Sequence, residues 1–181
     1  MLELPIRTPR LLLRDYAEAD EAAVHMFACD PQVTRFTTWG PNTSEDTRAF
    51  VRHMLKIQRK QPRTTYELAV VRHEDGLLIG GCGLDITEPY NAAAEIGYVF
   101  RRDCWGQGYA SEVAAALLAV GFEQLGLHRI YATCAPDNIG SARVLEKIGM
   151  RREGYLRESK RFRDGWRDSL LYARLETDSK G

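Results

Sequence analysis

The chain has 181 residues, 44% of them apolar, and its 25 basic residues balance 25 acidic ones. This length suits a single domain over residues 1–181 with a substantial core, and the zero net charge argues against a whole-surface grip on nucleic acid. The start Met1-Leu2-Glu3-Leu4-Pro5 lacks the regions of a signal peptide, the longest mostly apolar run, Val113 to Phe122, is too short to span a membrane, and the four cysteines form no Cys-x-x-Cys pair, so a cytoplasmic protein with reduced thiols, no membrane association and no zinc is expected.

Taken in chain order, Arg10 to Asp15 reads as a strand led in by Thr8-Pro9. Asp15 and Glu18 have the spacing of a capping box, predicting a helix that carries Ala23, Val24 and Phe27 and ends near Pro31. Pro41 to Ser44 reads as a turn, with Ser44 capping a second helix on which Phe50, Val51, Met54, Leu55 and Ile57 recur at helical spacing before Pro62. Tyr66 to Val71 and Leu77 to Leu84 read as strands of a hairpin through Asp75-Gly76, and Glu95 to Phe100 as a third strand. A long, alanine-rich helix runs from about Ser111 to a C-terminal cap at Gly126, with Val113, Leu117 and Val120 on one stripe. His128 to Cys134 reads as a strand, Asn138 as the cap of a helix stopped by Gly149, and Asp164-Gly165 as the turn of a final hairpin. The order predicts a mixed α/β sheet with one central strand–helix–strand crossover, parallel and right-handed.

That crossover begins with Trp105-Gly106-Gln107-Gly108-Tyr109-Ala110. Gly106 and Gly108 remove side chains where backbone must approach a ligand, and the helix beyond offers unpaired N–H groups and a positive dipole end. Together these make a seat for phosphate; the plain alternative is a tight strand-to-helix turn with no ligand. A P-loop needs Gly-Lys-Ser/Thr, which is missing, and the dinucleotide fingerprint would put its third glycine at Ser111.

With these stretches in view, the chain resembles the GNAT superfamily of N-acetyltransferases, and within it the branch of ribosomal-protein N-terminal acetyltransferases. The matching segments are Thr8 to Arg14, Ala94 to Val99, Trp105 to Ala110, Asn138 to Met150, and the tail Glu153-Gly154-Tyr155 with Asp164-Gly165, Asp168 and Tyr172. The resemblance implies an α/β (α+β) fold with a twisted, mostly antiparallel sheet, the central parallel crossover and a C-terminal β-hairpin. It also implies acetyl-CoA as cosubstrate and a primary amine as acceptor. Backbone N–H groups of Gly106, Gln107, Gly108, Tyr109, Ala110 and Ser111 would hold the pyrophosphate, and Val99, Phe100 and Arg101 would pair with the pantetheine arm as an added strand does. The Val99 N–H would polarise the acetyl carbonyl, a role worth roughly 3–4 kcal/mol of transition-state stabilisation. Trp105 stands where the wider family has Gln or Arg, as is usual for the narrower branch. Leu145 stands where the wider family often has a Tyr that protonates the departing thiolate. Ser141, one helical turn earlier on the same face, is the replacement the branch suggests, with an ordinary first-turn residue as the alternative.

Transfer needs a neutral amine. A protein N-terminus has a pKa of about 8 and lysine about 10.4, so the former needs less help at cellular pH. Glu95, at the start of the strand beside the expected acetyl site, is the candidate general base; an exposed or arginine-paired carboxylate is the alternative. Asn138 would cap its helix and touch the cofactor with one side chain. His25, His53, His73 and His128 have no ligand-like spacing, so no metal is expected. Residues 143–168 carry nine basic and five acidic residues, read either as a solvated hairpin or as a basic wall beside the acceptor or the cofactor. The acceptor is read as a protein or peptide N-terminus; a small amine (polyamine, aminoglycoside or amino acid) and a non-catalytic acyl-CoA sensor are the alternatives. The chain length suits a monomer or a homodimer.

Overall fold

The computed structural model describes residues 2–178. Its strands are β1 (Ile6–Arg7), β2 (Leu11–Arg14), β3 (Thr65–Arg72), β4 (Leu78–Glu88), β5 (Ala93–Phe100), β6 (Arg129–Cys134), β7 (Arg151–Phe162) and β8 (Gly165–Leu175). Its helices are α1 (Glu21–Ala28), α2 (Ser44–Ile57), α3 (Tyr109–Glu123) and α4 (Ile139–Lys147). The strands form one sheet in the order β1-β2-β3-β4-β5-β6-β8-β7. Every neighbouring pair is antiparallel except β5 and β6, which the α3 crossover joins in parallel. The expected mixed sheet, central crossover and closing hairpin are therefore all present.

The side-chain alternation of the central strands splits the core into two layers. Leu68, Val70, Ile79, Leu84 and Ile130 pack against α3 and α4 residues such as Val113, Leu117 and Leu145. Ala69, Val71 and Leu78 face the other way, onto Val24, Phe27, Val51 and Met54 of α1 and α2. Small residues let α3 lie close to the sheet. A Cβ on Gly121 would come within 2.5 Å of the Ile130 side chain, so nothing larger than glycine fits there without displacing core.

Several boundaries differ from the sequence reading, each for a local reason. Asp15 does not open α1, because Arg63 binds its carboxylate at 2.7 Å. A short turn over Glu18–Asp20 leads into α1 instead, held by Asp20, which accepts from the Ala17 N–H at 2.8 Å and pairs twice with Arg14. Thr43, not Ser44, caps α2: its Oγ1 accepts from the Asp46 N–H at 3.2 Å and the Asp46 carboxylate accepts from the Thr43 N–H at 2.9 Å, the reciprocal arrangement of a capping box. The crossover helix starts at Tyr109, directly after Gly108, two residues earlier than its apolar stripe indicates. β1 is only two residues long, too short to carry a legible alternation.

Candidate active site

The parallel ladder between β5 and β6 holds only from Ala93↔Arg129 to Glu95↔Tyr131. Beyond it β5 stays paired to β4 as far as Gly80↔Phe100, while β6 follows β8 from Arg129↔Leu175 to Cys134↔Leu170. The two central strands thus part, and a gap opens through the middle of the sheet. The Arg101 N–H donates to the Ile79 carbonyl on β4 at 2.9 Å, and a Cβ on Gly80 would lie 2.2 Å from the Val99 carbonyl oxygen. Residues alternate in direction along a strand, so Val99 also turns its N–H toward β4. This corrects the expectation for Val99: the amide groups facing the gap are those of Tyr98 and Phe100. Of these, the Phe100 carbonyl accepts from the Trp105 indole N–H at 3.0 Å, which fixes the half-exposed Trp105 ring against the strand end.

The Gly-rich loop lies at the mouth of this gap. Gly106 and Gly108 take φ of +74° and +81°, a backbone form that L side chains rarely adopt. A Cβ on Gly106 would meet nothing within 4 Å, so the positive φ rather than packing is what favours glycine there. The first intrahelical bond of α3 runs from the Glu112 N–H to the Gly108 carbonyl at 3.1 Å, leaving the N–H groups of Tyr109, Ala110 and Ser111 without intrahelical acceptors. These residues fit a bound pyrophosphate.

The Thr8-Pro9-Arg10 segment explains how the loop keeps its shape. The Glu112 carboxylate accepts from Thr8 Oγ1 at 2.6 Å and from the Arg10 N–H at 2.9 Å, and Arg10 Nε donates to it at 2.7 Å. Burial works to raise the Glu112 pKa, but these bonds override it and hold the group below its ordinary value. Arg10 Nη1 also donates to the Gln107 carbonyl at 2.9 Å, and its guanidinium stacks 4.5 Å above the Tyr109 ring. Gln107 Nε2 closes the loop onto the Asp103 carbonyl at 2.8 Å. Arg101, expected beside the cofactor arm, turns its side chain to Asp103 at 2.7 Å.

On the α3/α4 side of the gap, the Tyr98 hydroxyl and Ser141 Oγ are 3.0 Å apart. Burial pushes the Tyr98 hydroxyl up to about 12, so it stays protonated at neutral pH. Asn138 Oδ1 accepts from the Ser141 N–H at 3.2 Å; the cap of α4 is what sets Ser141 at the gap. Leu145 is buried in the core.

On the α1/α2 side, the gap opens into a cleft of about 900 Å³. Phe27, Phe36, Trp39 and Phe50 from the helical layer face Lys160, Phe162 and Arg163 of the last hairpin across it, so the basic hairpin does border the cleft. The Glu95 carboxylate faces it already engaged: Thr133 Oγ1 donates to Oε1 at 2.9 Å, and Lys160 Nζ is 3.7 Å from the same oxygen. Glu67, which the sequence reading passed over, lines the cleft floor from β3. Burial, with a smaller contribution from the Asp85 charge, pushes its carboxyl up to about 7. The signal for it was the Gly80-Gly81-Cys82-Gly83 run inside a strand, since glycines there mark close approach by another group. Among the described residues no group of His, Cys, Asp and Glu is placed to hold a metal ion, and no helix is long and apolar enough to cross a membrane.

Residues 10–151 match the family model for the acetyltransferase (GNAT) domain. The chain is 38% identical to the uncharacterized N-acetyltransferase YnaD of Bacillus subtilis over 175 residues, covering 96% of this chain and 98% of that protein. A solved GNAT-family acetyltransferase from Bacillus anthracis superposes with a TM-score of 0.86 at 37% identity, covering 97% and 100% of the two chains. A RimL ribosomal L7/L12 α-N-protein acetyltransferase, solved with coenzyme A as a cysteine disulfide, shares the fold at a TM-score of 0.83 and 22% identity, over 96% and 98% of the chains. With the GNAT model matching most of its length and relatives alike over nearly the whole chain, this protein belongs to the GNAT acetyltransferases as an acetyl-CoA-dependent N-acetyltransferase.

Proposed function

We propose that the enzyme acetylates the N-terminal amine of a protein or peptide by direct attack within a ternary complex. The carrying observation is the gap beside Tyr98, which opens on one face to the glycine loop and on the other to a wide cleft with aromatic walls. Acetyl-CoA laid in the gap, its pyrophosphate on the N–H groups from Gly106 to Ser111, supplies an activated acetyl group to the cleft side. An acceptor entering over Phe36 and Trp39 meets it there. Tyr98 borders the cleft and Phe100 does not, so the Tyr98 N–H is the donor that would polarise the acetyl carbonyl, and the Phe100 N–H would hold the arm behind it. The Tyr98–Ser141 hydroxyl pair, on the opposite face, would protonate the departing thiolate. Asn138 acts by setting Ser141, with its amide nitrogen left for the cofactor.

The choice of acceptor rests on three supports. An N-terminal ammonium loses its proton about two pH units more easily than lysine. The cleft is open enough for a peptide chain to enter end-on. One neighbour in fold is named for acting on the N-terminus of ribosomal L7/L12. The carboxylates of Glu67, Asp85 and Glu95 along one wall also suit a polyamine, which is the second reading.

Free-thiol release from acetyl-CoA, measured against peptides with free N-termini, the same peptides N-blocked, polyamines and aminoglycosides, separates the two. Turnover on free-N-terminal peptides that blocking abolishes is the expected result. Turnover confined to polyamines or aminoglycosides would replace it with the second reading.

A further inference from the structure

We propose that the Glu67 carboxylate is the base that takes the proton from the acceptor amine, working across a strip of sheet that glycines keep clear. The inference rests on the acetyl-transfer reading above and adds the residue that receives the proton. Glu67 on β3 lies opposite Gly83 on β4, and Gly83 lies opposite Gly97 on β5. All three share the face that carries α1 and α2, because Tyr66 and Leu68 on either side of Glu67 belong to the opposite layer. A Cβ on Gly83 would sit 2.6 Å from Glu67 Oε1. The carboxylate therefore reclines over β4, in the space that a side chain at 83 would fill. At Gly97 a Cβ would meet nothing within 4 Å, so the strip continues open to the edge of β5, where the gap begins. With the carboxylate over β4, about one strand spacing of roughly 5 Å remains to β5, a span that one water or the amine itself bridges.

The rest of the cleft leaves this role to Glu67. Among the described residues no hydrogen bond or ion pair holds its carboxylate, whereas Thr133 and Lys160 hold Glu95 and Thr65 Oγ1 holds Asp85 at 2.7 Å. The charges that face Glu67 come from every layer around it. Asp85 lies beside it on β4, the buried Cys82 thiol lies on the opposite face of that strand, and the Tyr16 hydroxyl closes the strip over Gly81. Asp46 and His53 of α2 and Lys160, Arg163 and Asp168 of the last hairpin line the same cleft farther out. Burial pushes the Glu67 carboxyl up toward neutrality, which suits it to take the proton that an N-terminal amine, entering in its neutral form, loses as it attacks. In the step, the amine nitrogen forms a bond to the acetyl carbon and loses one proton to Glu67. The carbon–sulfur bond breaks, and the thiolate takes a proton from the Tyr98–Ser141 pair. Glu67 returns its proton to solvent through the cleft, and the hydroxyl pair regains one, leaving an N-acetyl amine and free coenzyme A.

The test compares wild type with Glu67→Gln and Glu67→Asp across pH 5.5–9, reading kcat/KM on the best peptide of the panel, acetyl-CoA affinity by calorimetry, and the slow hydrolysis of acetyl-CoA, in which water replaces the amine. Glu67→Gln should lower kcat/KM about 100-fold and abolish the bend near pH 7, with acetyl-CoA affinity within twofold. Glu67→Asp, which withdraws the carboxylate by one methylene, should keep the bend at an intermediate rate. A bend that survives Glu67→Gln, with a rate within threefold of wild type, overturns the proposal; if His53→Gln then removes that bend, the role passes to His53. Failure of the acceptor reading looks different: no peptide is acetylated, while hydrolysis still falls in Glu67→Gln. A hydrolysis rate that Glu67→Gln leaves unchanged in that case overturns the base role as well.

Discussion

Ser141 and Tyr98 bring two hydroxyls within 3.0 Å of each other beside the gap, and the proposed reaction has them share the protonation of the thiolate. Leu145 is buried in the core and brings no hydroxyl to the gap, so under this proposal the proton comes from the pair joined by that contact. As members of one relay the two depend on each other, so removing either is expected to cost much of what removing both costs. Ser141→Ala should lower kcat about 10-fold and Tyr98→Phe by a similar factor, each with acetyl-CoA affinity unchanged; the double variant should lose less than the product of the two, as members of one relay do. Independent, multiplying losses in steady-state kinetics would break the relay apart. Glu67 carries a second prediction at this scale. Its carboxyl is raised from an ordinary 4.5 to about 7 in the folded protein. Between these values the folded state binds more protons than the unfolded one, so its contribution to stability falls as pH rises through that window and is lowest above pH 7. Glu67→Gln should therefore stabilise the enzyme at pH 8, by up to about 3 kcal/mol, and have little effect at pH 4.5. Denaturant melts at the two pH values check the sign.

At the scale of elements, what was legible and what was not follow from how far each determinant reaches along the chain. The glycine loop, the α4 cap at Asn138 and the 164–165 turn are each settled by residues a few positions apart, and their chemistry shows in the sequence. The α1 start was misread because Arg63, forty-eight positions away, binds Asp15, and no local pattern records that. Glu67 was missed for the same reason: its meaning lies in Gly83 and Gly97, which only strand pairing brings alongside. Val99 differs in kind. Its segment is right, but a shift of one residue reverses the edge to which a strand amide points, and sequence alone does not fix that parity. Two predictions test these elements. Thr43→Ala should cost about 1 kcal/mol of stability while Ser44→Ala costs less than half as much, since only Thr43 caps α2. Gly108→Asp should abolish acetyl-CoA binding, because φ of +81° disfavours a side chain and the added carboxylate, next to the Arg10 guanidinium at the start of α3, would compete there with the proposed pyrophosphate. Retained affinity in calorimetry would move the pyrophosphate elsewhere.

The whole molecule is a sheet joined at a weak seam. Strands β1 to β5 form one continuous antiparallel set and β6, β8 and β7 another, and among the described residues the ladder between the sets is three residues of parallel pairing. The α3 crossover and its packing against α4 bridge the two sets on one face; on the other face the cleft lies over the seam, crossed by side-chain contacts such as Thr133 and Lys160 with Glu95. A cosubstrate arm lying in the gap would supply the ladder that β5 and β6 do not make, so binding acts on the part of the fold with least backbone pairing of its own. Binding to the folded state alone stabilises it by about 2.7 kcal/mol at a hundredfold excess over Kd, and for a domain of this size each kcal/mol raises Tm by roughly 2–4 °C. Acetyl-CoA should thus raise Tm by about 5–11 °C. The gain should be local in origin: amide exchange should slow most at Tyr98, Phe100 and Tyr109 to Ser111, and hardly at all in α1 or the edge strands β1 and β7. Those amides are the ones that face the gap or begin α3 without an acceptor, so they have most to gain from a ligand. A shift in Tm with uniform slowing across both sets of strands would mean that the ligand stabilises the fold as a whole rather than bridging the seam. Protection confined to the cleft-facing helices would place acetyl-CoA on the acceptor side. Slowing at Tyr98 and Phe100 that disappears in Gly108→Asp ties the seam and the phosphate seat to one bound molecule.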